Sequence, residues 1–452
     1  MADLKRQLTL LDATMINVGT IIASAIFFVP AAIAADLHAT SLTLLAWVVG
    51  GVVSLLGALS VAELAAAMPE AGGGFVYLRE AFGPAWGWLY GWSNGVVINP
   101  ASIAAIAVGF AGYVKFFTPL SDDGIKAVAI VSILALTALN ILGVKAGTRT
   151  QNVLTAIKIG TVVGLIVLAF ALPGGSPEHL APLWPAGGGK GHLLGAFGTA
   201  MVAVLWAYDG WIETTYVGGE VVRPERNLPR AIIYSALICM ALYVLVTVAF
   251  TYVLGVDRVA GATLVASDAA QVSLGAIGAG LVAAAILVST LGANNGIVLT
   301  AARVPYAMAR EGLLFPWIGA VHPRWLTPAN SLLAQAAISI VLTFTGKYVW
   351  LYTYVVFAEF VFYALMCAAV LRLRARRPDL PRPYRAWGYP LTPILFIGFA
   401  LWLVANTIKE DLADSAVAAG LILLGLPCYW YFRRRRTAAA GTALRPASRP
   451  LE

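Results

Sequence analysis

The sequence predicts an all-α polytopic membrane protein, and three observations carry that prediction. Of the 452 residues 60% are hydrophobic and only 12% charged, with a mean hydropathy of +0.83. A soluble chain carries about 25% charged residues. Several apolar stretches reach the ~20 residues a helix needs to cross a bilayer. The alternating ten-residue pattern of outer-membrane barrels is absent.

Twelve spans follow in order, roughly at 10–35, 41–67, 85–115, 125–144, 151–172, 196–220, 230–255, 273–302, 328–346, 349–371, 390–408 and 415–432. The first has no A-x-A-like cleavage site and carries Asp12 and Asn17, so it is not a signal peptide. An even number of spans puts both termini on one side. Of the 30 Lys and Arg residues, 23 lie in the N-terminus, the even-numbered connections and the C-terminus, six lie in the alternate connections, and Lys158 lies inside a span. The positive-inside rule then puts both termini in the cytoplasm of a cell (inner) membrane. The net charge of +8 is thus explained by topology rather than by nucleic acid.

The connections agree. Residues 173–191 form a Pro/Gly-rich external loop, whereas the basic stretches at 372–385 and 433–436 are internal and suit anionic lipid headgroups. Residues 1–437 read as a single transmembrane domain and 438–452, small and polar, as a disordered tail. Cys239, Cys367 and Cys428 lie in apolar spans without metal-ligand spacing, and read as small core residues.

Two spans carry polar groups where lipid-facing chemistry allows none. Span one runs Asn17, Val18, Gly19, Thr20, Ile21, Ile22, Ala23, Ser24, Ala25 at mid-depth, with Pro30 beyond. By itself this pattern suits close helix packing. Span six places Trp206, Ala207, Tyr208, Asp209, Gly210 and Trp211 in its middle, with Glu213 one turn on. An intramembrane acid faces a cavity or a partner, and Gly210 lets the backbone leave helical geometry. Interrupted helices in corresponding positions of two halves point to a transported-solute site.

At these residues the chain resembles the amino acid–polyamine–organocation superfamily, within it the L-type branch. The resemblance runs from about Leu10 to Arg433. Its motifs are 19–27 (GTIIASAIF), Ala62-Glu63-Leu64, Gly72-Gly73-Gly74 and Phe82-Gly83-Pro84, then 207–211 (AYDGW), 227–231 (NLPRA), Asn295-Gly296, Arg303 and 309–312 (AREG). It implies a LeuT-like fold of 12 transmembrane helices. That fold has a 5+5 inverted repeat, about 10–172 and 196–371, with helices one and six broken, plus two extra helices at about 390–432.

The resemblance also implies roles. The substrate carboxylate would meet main-chain N–H groups around Ser24 and Ala25. The amino group would meet carbonyls near Ile21 and around Trp206 and Asp209, with Thr20, Ala23, Ala207 and Gly210 completing the site. Half-helix termini favour that division of charge. Trp206 would cover the substrate. Where the family has Gly-Ser-Gly this chain has Ala23-Ser24-Ala25, which implies a tighter site.

Lys158 matches a lysine that in L-type members replaces the sodium ion holding spans one and eight together, which implies sodium-independent transport. A desolvated lysine can change protonation state, so proton coupling stays open. Asn295 and Glu359 are candidate gate or pairing residues. Animal relatives join a heavy subunit through a cysteine in the loop after span three; residues 116–124 (FFTPLSDDG) contain none, so no disulfide-linked subunit is expected.

The expected activity is exchange of small or neutral L-amino acids by alternating access, without a cofactor. The alternatives are a proton-coupled symporter for amino acids or polyamines, a non-transporting sensor, and a membrane-embedded enzyme. The four histidines fall in or near connections without metal spacing, and no Ser/His/Asp set is evident, which disfavours the enzyme.

Overall fold

The computed structural model describes residues 4–185, 190–345, 348–410 and 412–443. Among them the chain forms helices and no strand, with one isolated parallel bridge joining Leu8 to Val221. Eight helices are long and apolar enough to cross a membrane, and three shorter apolar helices, 10–21, 193–207 and 329–344, accompany them. Two of the short ones are short because the chain breaks there.

Helix α1 (Leu10–Ile21) opens with a reciprocal cap: the Asp12 N–H donates to the Thr9 hydroxyl and the Thr9 N–H to the Asp12 carboxylate. Asp12 also binds Asn152 and Lys145, so this acid at the start of an apolar run belongs to the helix end. The helix stops at Ile21. A bend at 22–24 and a single 3₁₀ turn at Ala25–Phe27 lead to α2 (Val29–Leu37), with Pro30 in its first turn, where a missing N–H costs nothing.

Next come α3 (Thr40–Ala67), α4 (Gly74–Phe82), α5 (Pro84–Trp92) and α6 (Asn99–Val114); a π-helical turn at Ser93–Ile98 joins the last two into one span. Helices α7 (Asp122–Ile141) and α8 (Val144–Ala171) are separated by only two residues, so span five begins earlier than its composition suggested.

Helix α9 (Lys190–Ala207) ends at the second break. Turns at 208–212 pass into the four-residue α10 (Glu213–Tyr216). The remaining helices are α11 (Pro224–Leu254), the short α12 (Val256–Ala260) and α13 (Val265–Leu274), α14 (Ala276–Ala301), α15 (Arg303–Arg310), α16 (Ala329–Thr345), α17 (Tyr348–Arg376), α18 (Leu391–Glu410), α19 (Leu412–Leu423) and α20 (Gly425–Ala443). The expected twelfth span is thus two helices that part around Leu424. Helix α20 runs past Thr437, while residues 444–452 of the expected tail lie outside the described residues.

The core holds α1, α3, α9 and α11 together, with α8 and α14 against the other side of α1. Close approach depends on glycine. A Cβ on Gly296 of α14 would lie 2.5 Å from the Thr20 methyl of α1. No side chain fits there without moving one helix.

Candidate functional site

A helix interrupted inside a membrane leaves carbonyls at the end of its first half and N–H groups at the start of its second, and each must find a partner. The ends of α1 and α9 meet around such partners. The Tyr243 hydroxyl of α11 lies within hydrogen-bond distance of two carbonyls, Ile21 at 2.8 Å and Ala207 at 2.9 Å. Ser289 of α14 bonds the carbonyls of Ala23 at 3.0 Å and Ile22 at 3.3 Å. Lys158 of α8, buried, donates to the Gly19 carbonyl at 2.6 Å. By contrast, the described backbone hydrogen bonds give the N–H groups of Ser24, Ala25 and Ile26 no partner.

The two breaks are also tied to each other. Asn17 donates to the Trp211 carbonyl at 2.7 Å and accepts from the Thr214 N–H at 2.9 Å. The Thr20 hydroxyl reaches the Gly210 carbonyl at 3.3 Å. Gly210 has φ +102°, and a Cβ there would sit 3.1 Å from Thr20, so both conformation and space require glycine.

Between the breaks lies a cavity of about 120 Å³. Of the residues expected at the site, Thr20, Ile21, Ala23, Ser24, Ala25, Trp206 and Asp209 line it. Ala207 and Gly210 do not; they contribute the carbonyls bound by Tyr243 and Thr20. The Trp206 ring packs against Phe28, centroids 6.0 Å apart, which closes one wall. The opposite wall comes from α6 (Ala101, Ser102, Ala105, Ile106), with Ile297 and Val355.

Asp209 faces the cavity yet is already engaged. The Tyr363 hydroxyl donates to it at 2.6 Å and Glu359 of α17 shares a hydrogen bond with it. Glu359 is therefore a pairing group of the acid that lines the cavity. Glu213 points elsewhere, to the Thr300 hydroxyl. Asn295 is a pairing group too, away from the cavity: it binds Gln151 at 2.8 Å and Gly147 at 3.2 Å and accepts from Asn140 at 2.9 Å, joining α14 to α7 and α8.

The face that carries the N-terminus is tied together by main-chain bonds and ion pairs. Gln7 and Leu8 donate to the Glu220 carbonyl, and Val222 donates to Leu8. Arg303 and Glu220 form a fully buried ion pair at 2.7 Å, and Arg79 meets Glu311 at 2.8 Å.

Sequence reasoning missed Tyr243, Ser289 and the α6 wall. The available signal for the first two was a hydroxyl inside a largely apolar span, one of several there, which marks a polar partner without saying whose. The α6 wall is mostly alanine and isoleucine, indistinguishable from packing.

Two interrupted helices around one small cavity, inside a bundle of membrane-spanning helices, define a transporter rather than an enzyme. The chain belongs to the amino acid permease family, whose model matches residues 8–426. It is 32% identical to the serine/threonine exchanger SteT of Bacillus subtilis (strain 168), over 96% of this chain and 98% of the relative. It is also 32% identical to the b(0,+)-type amino acid transporter 1 of Mus musculus, covering 92% of it, and 30% identical to the large neutral amino acids transporter small subunit 2 of Homo sapiens, covering 80%.

Proposed function

We propose that this chain is a sodium-independent exchanger of small or neutral L-amino acids, with a LeuT-like architecture of two inverted five-helix repeats that alternate access to the cavity. The observation that carries it is the division of charge at the breaks. Open N–H groups at Ser24, Ala25 and Ile26 suit a carboxylate. The carbonyl-bearing ends of α1 and α9 border the same cavity of about 120 Å³, and a carbonyl that already accepts one hydrogen bond keeps a second lone pair for an ammonium group. A volume of that size holds a small zwitterion and is short for a polyamine or a large aromatic side chain. Similarity to a serine/threonine exchanger supports both the exchange mode and the small substrate.

Lys158 places its amino group between α1 and α14: it donates to the Gly19 carbonyl, and a Cβ on Gly292 would lie 3.4 Å from it. That occupies the place a coupling cation would take, and supports independence from sodium. Asp209, held by Tyr363 and Glu359, orders the break rather than gripping the substrate. Both termini are cytoplasmic on the positive-inside argument, and the chain works without a disulfide-linked subunit, since residues 116–124 hold no cysteine.

The test is uptake of radiolabelled neutral amino acids into sodium-free proteoliposomes, with and without amino acids inside. Uptake that requires internal amino acid supports the exchanger. Uptake into empty vesicles driven by a pH gradient would replace it with proton-coupled symport.

A further inference from the structure

A cavity larger than the one between the breaks lies elsewhere among the described residues. It is a groove of about 620 Å³ walled by α5 and the π turn (Trp92, Gly95), α15 (Met308), α16 (Ala334, Ile338) and α20 (Phe432). Its few polar side chains are spent inside the protein. The Trp92 indole N–H donates to the Leu421 carbonyl at 3.1 Å, Ser331 to Ala302 at 2.6 Å and Gln335 to Val298 at 3.3 Å. A water-soluble ligand would find little to bind there, whereas a hydrocarbon chain fits.

The rim differs from the interior. Phe315, Trp317 and Tyr431, all on the groove, are 41%, 53% and 48% exposed, the aromatic character of a membrane–water boundary. Immediately beyond them runs the basic stretch 433–436, and the Arg435 guanidinium lies 4.9 Å from the Tyr431 ring centre. An apolar slot that ends at a cluster of arginines matches one ligand chemistry: acyl chain first, anionic headgroup at the mouth.

We infer that this groove is a binding site for an anionic phospholipid of the surrounding bilayer, with an acyl chain between α5 and α16 and the phosphate beside Arg435. The inference is independent of what the central cavity transports.

Native mass spectrometry of the purified full chain tests it, with phosphatidylglycerol and phosphatidylcholine of identical acyl chains as probes. The expected result is retention of phosphatidylglycerol about fivefold over phosphatidylcholine, the scale that one arginine at the rim supplies. The double variant Arg434→Gln, Arg435→Gln is expected to abolish that preference while keeping the basal binding of both lipids. Ala334→Phe, which fills the slot, is expected to lower both. Equal retention of the two lipids by the wild type overturns the site. So does undiminished phosphatidylglycerol binding in the arginine variant, which acts at the rim and does not depend on a repacked interior. A dimer that forms as lipid is removed would assign the groove to a second copy instead.

Discussion

The hydroxyl of Tyr243 stands between the carbonyls of Ile21 and Ala207, 2.8 and 2.9 Å away, and so ties together the ends of two helices that are 186 residues apart in sequence by those two positions. One residue of α11 thereby fixes the distance between the two halves of the proposed ammonium site.

Tyr243→Phe removes that link and the single O–H donor that the two carbonyls share. The expected cost is about 1–3 kcal/mol of stability, together with a several-fold rise in KM for amino acid uptake. Thermal unfolding in detergent and proteoliposome kinetics measure the two effects separately. A variant with unchanged KM would remove Tyr243 from the site's organisation.

Lys158→Met deprives the buried Gly19 carbonyl of its donor and removes the charge between α1 and α14. Exchange is expected to fall at least about tenfold, the consequence of losing a charged hydrogen bond of roughly 1.5–3 kcal/mol. Wild-type uptake is expected to be the same in sodium and in choline buffers. A clear sodium dependence would refute the role given to this lysine.

Ala23→Gly and Ala25→Gly each remove a methyl group from the cavity lining. Affinity for small substrates is expected to rise, and larger neutral side chains to become acceptable competitors. Competition assays with a graded series of neutral amino acids read this directly; identical profiles in variant and wild type would contradict a tight cavity.

Asp209→Asn keeps an acceptor for Tyr363 and is expected to leave substrate affinity within about threefold, as for a neutral replacement of an ordinary hydrogen bond. Asp209→Ala is expected to lose both stability and transport. Loss of affinity in the Asn variant, with folding intact, would instead make the carboxylate a direct substrate contact.

Glu220→Gln leaves Arg303 charged and fully buried without its counter-ion. Breaking a buried pair in this way costs about 3–5 kcal/mol. Replacing both partners with apolar residues of similar size is expected to recover much of the stability. Denaturation of the single and double variants gives the comparison, and equal loss in both would show that the pair acts by shape and not by charge.

The sequence by itself determined the environment and the places where it is interrupted. An apolar composition with 12% charge admits only a membrane-embedded helical chain. Asp209-Gly210 in the middle of a span marks a break because an acid and a glycine have no reason to face lipid there, and Ala23-Ser24-Ala25, which alone suits close helix packing, takes that meaning only beside it. Thr20, Ser24 and Asp209 stood out for that reason, Ile21 and Trp206 only through the family resemblance, and all five line one cavity.

Only the tertiary structure decided which groups answer those breaks. Tyr243, Ser289, Gln151 and Asn140 each sit among other polar side chains on a largely apolar helix, and helical periodicity tells neither the neighbour nor the rotation. Asp209 reads in sequence as either a cavity-facing acid or a cap of the broken helix, and its partner Tyr363 is identified only once α17 folds against it. Asn295 resembles a gate in sequence and turns inward to α7 and α8 in space. The physical reason is the same throughout: composition reports how costly a polar group is in a membrane, while packing over more than a hundred residues of separation decides which partner removes that cost.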